Sequence, residues 1–406
     1  MDQRKITIVA IGDEVLYGYT ANNNASLIAQ NLVQRGFFPV SHRVVSDNPE
    51  DIFQILQEEL LKGRDVITTG GLGPTVDDHT KAVISSLFQK KLVHQESLYK
   101  QLQKQYGDTF PTLKDQSLQP EGAQLFCNNT GTAPGLLLED TALFPNARLF
   151  ALPGPPQEMQ MVFKEMLDAY FSGSPLPFYA LSFVNMAEHE VNKNVQDLQK
   201  RWPQIRFGIY PSFSMVRLHL YVEQEEDRSF LEQAQEYLVE AFHNNVLPSN
   251  LLEKSLQTLL QKKKWSLATA ESCTAGGLAA RISSVDGASS VFSGSVVAYR
   301  NDVKERILSV PKTTLDNFGE VSEEVTACMA EGVQSLFNAD VACAVSGFFG
   351  PTGGTKKAPV GTVCTTIALP NNVYSETFFF HGTREAICEK TIQALLSKLV
   401  SLLLQC

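Results

Sequence analysis

The stretch "LATAESCTAGGLAARI" sets Ser272, Cys273 and Thr274 directly before a small-residue turn. A strand, a sharp turn and a helix at this place would project the Ser272 hydroxyl toward a ligand, beside free helix amides able to receive a developing oxyanion. Serine alone is a weak nucleophile and needs a base. Of the seven histidines only His381 falls in this part of the chain, which argues against a Ser-His-Asp triad. "VVAYRNDVK" offers Tyr299 and Lys304 instead, and "AVSGFFGPTGGTKKAPVGTV" offers Ser346 with a second glycine-rich loop. A lysine desolvated beside a serine can act as its base. Cys273 competes with Ser272, but neighbouring side chains on a helix point apart, so only one of the two is expected to face the ligand. The plainer alternative makes Ser272 a helix cap, Cys273 a small buried hydrophobe, and Tyr299 and Lys304 residues of an ordinary surface turn.

A second constellation lies near the start of the chain. "TTGGLGPTVDDHT" supplies backbone amides through Gly70, Gly71 and Gly73, which approach an anion closely because no Cβ intervenes, and a helix is expected to begin near Asp77. The carboxylates of Asp13, Glu14, Asp47, Asp77 and Asp78 are expected at the same strand ends. Acids beside a phosphate make chemical sense when a divalent cation lies between them, which predicts metal-assisted hydrolysis of a phosphoanhydride. The alternative is a tight turn, with Asp77 capping one helix and Asp47 capping another that begins near Pro49. A P-loop is excluded because no Gly-Lys-Ser/Thr follows, and G-G-L-G-P lacks the dinucleotide spacing G-x-G-x-x-G.

The elements that must position these residues follow from periodicity. "KITIVAIGDEVL", "FFPVSHRVVSD" and "DVITTGGLGPT" read as strands, with "NNNASLIAQNLVQRG" and "PEDIFQILQEELLKG" as the helices between them. That rhythm predicts a doubly wound α/β sheet over residues 1–171, with ligand sites at the carboxyl ends of its strands. Over 172–250 the pattern changes to a small α+β connector without a chemical constellation, its His189 and His219 being surface or half-buried strand residues. The α/β rhythm returns over 251–406, from "LLEKSLQTLLQKKKW" to "REAICEKTIQALLSKLVSLLL".

Composition narrows the function classes. A chain of 406 residues exceeds one ordinary core, and 34 basic against 44 acidic residues give a net charge of −10. With no basic run beyond Lys262–Lys264, direct nucleic-acid binding is not expected. Seven cysteines without a C-x-x-C pair fit neither a zinc site nor a disulfide framework. No window has the ~18 apolar residues of a membrane span and the N-terminus lacks a leader pattern, so a cytoplasmic protein without membrane contact is expected.

"GDEVLYG", "NNNASLIAQNL", "VVSDNPEDI", "TTGGLGPTVDDHT", "NNTGTAPG" and "ALPGPPQEM" occur in the order found in the N-terminal domain of CinA proteins, which is similar in fold to the molybdopterin-binding domains of MoaB and MogA. The resemblance implies metal-dependent conversion of ADP-ribose and water to AMP and ribose 5-phosphate. It assigns Asp13, Glu14, Asp47, Asp77 and Asp78 to a divalent metal (Mg, Mn or Co), and Gly70, Gly71, Gly73, Thr80 and Asn128 to substrate.

From Leu267 to Ile387, "AESCTAGGLAA", "GASSVFSGSVVAY", "NDVKERILSV", "VSEEVTACMAEG", "SGFFGPTGGTKKAPVGTV" and "HGTREAI" resemble the nicotinamide-nucleotide deamidase (PncC-type) domain that follows in full-length CinA proteins. This implies hydrolysis of nicotinamide mononucleotide to nicotinic acid mononucleotide and ammonia, with no cofactor. Ser272, Tyr299, Lys304 and Ser346 take the catalytic positions. Thr274, Gly276, Gly277, Gly353, Gly354 and Arg384 take the binding positions, with the amides of Thr274 to Gly277 expected to receive the oxyanion. Three departures stand out: "SGFFGP" for the usual T-G-I-A-G-P, Ala358-Pro359 for Lys-Pro, and an additional alanine, Ala275, in "CTAGG". Small nucleotides are the expected partners and a homodimer the expected assembly. A pterin-binding protein of molybdenum-cofactor assembly and a non-catalytic, competence-linked adaptor are the alternative readings.

Overall fold

The strand Ile6–Ile11 is buried along its whole length because both its faces are covered. Val9 and Ile11 pack with Leu56, Leu60 and Phe88 on one side, while Ile6 and Ile8 meet Ile28, Leu32 and Phe163 on the other. Continuous apolar strands of this kind belong to parallel sheets sandwiched by helices. The computed structural model describes residues 4–107 and 111–406, and the chain divides into two compact units, Met1–Leu176 and Pro177–Cys406.

In the first unit Ile6–Ile11 pairs in parallel with Pro39–Val45 and Asp65–Thr69, and Asp65–Thr69 pairs in parallel with Arg148–Leu152. Gly135–Glu139 and Gln124–Phe126 extend this six-stranded sheet antiparallel. Helices Asn23–Val33 and Pro49–Leu61 begin on asparagine caps, Asn22 accepting from the Ala25 amide and Asn48 from those of Glu50 and Asp51. Asp47 therefore does not cap the second helix. The helix after the glycine-rich loop spans Thr80–Leu87 and starts three residues later than expected, so Asp77 caps nothing. Asp77 and Asp78 stand in the turn before it.

The second unit opens with a three-stranded antiparallel sheet, in which Met215–Tyr221 lies between Arg206–Ser212 and Phe178–Val184, covered by helices Glu188–Arg201 and Arg228–Ala241. His189 is exposed and His219 is half-buried between the rings of Phe178 and Tyr210. This module shares its compact unit with the following α/β sheet.

That sheet has five strands. Leu267–Glu271 lies between Phe292–Val297 and Val341–Gly347, parallel to both, and Thr362–Leu369 and Asn372–Phe379 continue it antiparallel. Small residues Ala268, Ala270, Ala342 and Ala344 let helix Glu323–Phe337 approach through Met329 and Val333, while Leu267, Val341 and Val345 face Leu395 and Leu399 of helix Arg384–Gln405. Both sheets are thus mixed at one edge and parallel where sites are expected. Among the described residues, no helix is long and apolar enough to cross a membrane.

Candidate active sites

Two neighbouring parallel strands end together in the second unit. Glu271 pairs with Val345, and the Ser272 amide donates to the Val345 carbonyl at 3.0 Å. Ser272 and Ser346 consequently follow adjacent strand ends, neighbouring strands lying ~4.8 Å apart. They open into a cavity of about 160 Å³ that Cys273, Tyr299, Lys304, Glu320, Phe348, Phe349 and Arg384 also line. Five residues singled out from sequence, Ser272, Tyr299, Lys304, Ser346 and Arg384, therefore meet at one place.

Helix Asn301–Leu308 carries Lys304 inward, leaving it 1% exposed. Its Nζ donates to Ser346 Oγ at 3.4 Å and to the Glu320 carbonyl at 3.2 Å, and Ser346 Oγ donates to that same carbonyl at 2.7 Å. Burial, partly opposed by the charge of Glu320, lowers the Lys304 pKa from its ordinary value, which favours the neutral amine needed of a base. Of the two serines at these strand ends, Ser346 is the one that Lys304 hydrogen-bonds.

Arg384 begins the last helix. One guanidinium nitrogen donates to the Gly350 carbonyl and another to the Tyr299 hydroxyl, both at 3.0 Å, and the group lies 5.9 Å from the centre of the Phe349 ring. Tyr299 is more than half exposed at the rim and orients Arg384. Phe349 is buried against that guanidinium and Phe348 forms part of the wall, which gives the unusual Phe-Phe pair a place in the site.

Contrary to the alternation expected of helix neighbours, both Ser272 and Cys273 line the cavity, because they occupy a turn; the helix itself spans Gly277–Ser283. Burial pushes the Cys273 thiol well above its usual range, so it offers little thiolate. The expected oxyanion amides also narrow. Ala275 donates to the Ser272 carbonyl, Gly277 to that of Thr274 and Gly276 to Glu271. Among the described residues, the Cys273 and Thr274 amides have no such acceptor. Thr274, Gly276, Gly277, Gly353 and Gly354, expected at the substrate, lie outside the cavity wall.

Sequence reasoning missed Glu271. It is wholly buried and accepts hydrogen bonds from Thr274, Gly276, Leu278, Ala279 and Ser295. An acid closing an otherwise apolar strand was the available signal, since a buried carboxylate must have partners. Glu320, the carbonyl acceptor for Lys304 and Ser346, carried no comparable signal.

The first unit holds a larger cleft, about 520 Å³, at the carboxyl ends of its parallel strands. Glu14, Asp47, Gly70, Gly71, Gly73, Asp77 and Asp78 line it, together with Thr20 and Glu158, which sequence reasoning did not select. The glycines answer to close contacts: a Cβ on Gly70 would lie 2.2 Å from the Ile11 carbonyl oxygen, and one on Gly71 2.1 Å from Thr80 Oγ1. The Gly70 amide is committed to Leu152, leaving those of Gly71 and Gly73 without an acceptor among the described residues.

Thr80 and Asn128 are loop braces. Thr80 is buried and donates to the Gly70 carbonyl at 3.0 Å, and Asn128 donates to Ala133 and Glu158 while accepting from Thr130 and Gly131. Asp13 is absent from the cleft wall, and its amide donates to Asp47 Oδ2 at 2.9 Å. Asp78 accepts from the Thr75 amide and hydroxyl, and Asp77 from that hydroxyl. Among the described residues, no three acidic, histidine or cysteine side chains group to hold a metal. Among the described residues, the Glu14 carboxylate and Asp47 Oδ1 have no hydrogen-bond partner, and Asp13 Oδ1 is buried without one. Such a donor set fits a hard cation that keeps one or two protein carboxylates and completes its shell with water and substrate phosphates.

Residues 7–172 match the family described as "Probable molybdopterin binding domain", and residues 249–403 match "CinA C-terminal domain". A CinA-like protein of Thermosipho melanesiensis is 33% identical over 395 residues, covering 96% of each chain, and one of Fervidobacterium nodosum is 32% identical over 398 residues with the same coverage. A solved structure of a competence or damage-inducible protein from Enterobacter asburiae is 32% identical, covers 37% of this chain and 96% of its own, and has a TM-score of 0.37. With nearly full-length relatives and a family match on each of the two site-bearing regions, the chain belongs to the CinA family.

Proposed function

We propose that the second unit hydrolyses the carboxamide of nicotinamide mononucleotide, and that the convergence of Ser272, Ser346, Lys304 and Arg384 on one cavity carries this reading. Ser272 Oγ attacks the carboxamide carbon while its proton passes to Ser346 Oγ and the Ser346 proton passes to neutral Lys304 Nζ. The Lys304 ammonium then returns a proton through Ser346 to the leaving nitrogen as the C–N bond breaks, releasing ammonia. Water enters by the same route, and its attack on the acyl–Ser272 ester gives nicotinic acid mononucleotide and the free hydroxyl. The amide of Cys273, which lines the cavity, is the donor for the oxyanion. Arg384, held by Tyr299 and Gly350, binds the phosphate. Conversion of nicotinamide mononucleotide to the acid by the whole chain, followed chromatographically, tests this reading.

For the first unit the same proposal assigns hydrolysis of ADP-ribose to AMP and ribose 5-phosphate. The Gly71 and Gly73 amides receive the diphosphate, and Glu14 and Asp47 are the residues that would hold a divalent metal. Bound there, the metal supplies charge neutralisation on the diphosphate. Asp77 and Asp78 keep the loop in shape through Thr75. AMP release from ADP-ribose separates this activity from pterin binding, which would release none. A cytoplasmic homodimer recycling pyridine-nucleotide fragments is the setting that suits both activities.

A further inference from the structure

The turn that follows Ser272 is wrapped around a carboxylate. Glu271 Oε2 accepts from Thr274 Oγ1 at 2.6 Å and from the amides of Gly276 and Leu278 at 3.0 Å each. Oε1 accepts from the Ala279 amide at 2.8 Å and from Ser295 Oγ on the neighbouring strand at 3.3 Å. The Glu271 backbone carbonyl takes the Ala298 amide at 2.7 Å, next to Tyr299. Consecutive left-handed residues, Ala275 at φ 51° and Gly276 at φ 98°, curl the chain so that its amides point inward. This is the shape in which backbone amides enclose an anion, and here the protein's own side chain fills it.

Two consequences follow. The start of helix Gly277–Ser283 has no amide of Gly276, Leu278 or Ala279 left for a substrate phosphate or oxyanion. The additional alanine, Ala275, lies at the exposed outside of the curl, after Cys273 and Thr274.

We infer that Glu271 is the positioning residue of the hydrolytic site. By gathering five donors from the turn, the helix that follows it and the neighbouring strand, it fixes the turn that carries Ser272 and leaves the Cys273 amide for the carboxamide oxygen. The inference rests on the amide-hydrolysis reading above. It assigns Glu271 no contact with substrate, so its effect belongs in turnover and not in affinity.

Glu271→Gln replaces one acceptor oxygen with an amino group that faces amide donors. With nicotinamide mononucleotide as substrate, kcat should fall about 100-fold, comparable to loss of an oxyanion donor, with KM within about twofold. Ser295→Ala removes only the outermost donor and should lower kcat roughly threefold with KM unchanged. It supplies the decisive comparison where the glutamine variant does not fold. A folded Glu271→Gln protein with wild-type kcat, a Ser295→Ala protein with wild-type kcat, or losses confined to KM would each overturn the inference. A wild type that releases no ammonia removes the amide-hydrolysis reading and the positioning role with it. An active wild type with an equally active Glu271→Gln removes the positioning role alone.

Discussion

Lys304 Nζ lies 3.4 Å from Ser346 Oγ, and Ser346 occupies the strand end beside Ser272. On the proposed mechanism Lys304 takes the Ser272 proton through this second serine. Burial lowers the Lys304 pKa from 10.5, so kcat/KM for nicotinamide mononucleotide should rise with pH along a limb centred below that value. Lys304→Met should abolish the limb and lower kcat on the order of 10³-fold. The same shift affects stability. Between the lowered folded pKa and 10.5 the unfolded chain binds the additional proton, so stability rises with pH in that window. A pH–rate profile of both proteins checks the first claim, and chemical denaturation across the window checks the second.

Cys273 borders the same cavity, yet burial raises its thiol pKa. Cys273→Ala should keep kcat within about threefold while losing about 1–2 kcal/mol of stability through the lost buried sulfur. Iodoacetamide at pH 8 should leave ammonia release intact. Inactivation that tracks alkylation of Cys273 would transfer the nucleophile role to the thiol.

Arg384 is held by Tyr299 and Gly350 in a pose that leaves guanidinium N–H groups for the substrate. Arg384→Lys loses that fork, and KM for nicotinamide mononucleotide should rise roughly 10- to 100-fold with a small change in kcat. Nicotinamide riboside, which lacks the phosphate, should be handled equally by both proteins. Equal losses on the two substrates would place Arg384 at the reacting amide.

In the first unit a Cβ on Gly73 would sit 2.4 Å from Asp78 Oδ2. Gly73→Ala must push that carboxylate away from Thr75, and AMP release from ADP-ribose should drop at least about tenfold. Chelation of divalent ions should stop AMP release and leave ammonia release unchanged. Assaying both products from one preparation tests the separation of the two activities.

Much of the second site was legible because its chemistry resides in side-chain types at strand ends. Ser272, Lys304, Ser346 and Arg384 stand out in sequence, and parallel pairing of Leu267–Glu271 with Val341–Gly347 explains why two of them meet. What stayed hidden were the hydrogen-bond partners. The acid at the end of "LATAE" signals a buried carboxylate in need of partners, but the sequence does not say that those partners are the amides of Gly276, Leu278 and Ala279. Of the amides expected for the oxyanion, Gly276 is committed to Glu271, and Ala275 and Gly277 to carbonyls of the turn. In the first unit, periodicity found the strands and helices, but Asn48 took the cap that Asp47 was a candidate for. Thr80 and Asn128 proved to be loop braces because side-chain-to-backbone bonds of this kind depend on tertiary approach.

The most direct measurement is ammonia release from nicotinamide mononucleotide by the whole chain and by Ser272→Ala. Steady turnover by the wild type, reduced on the order of 10⁴-fold in the variant, is the expected result. A wild type silent toward this substrate, or a Ser272→Ala protein that turns over at the wild-type rate, would contradict it.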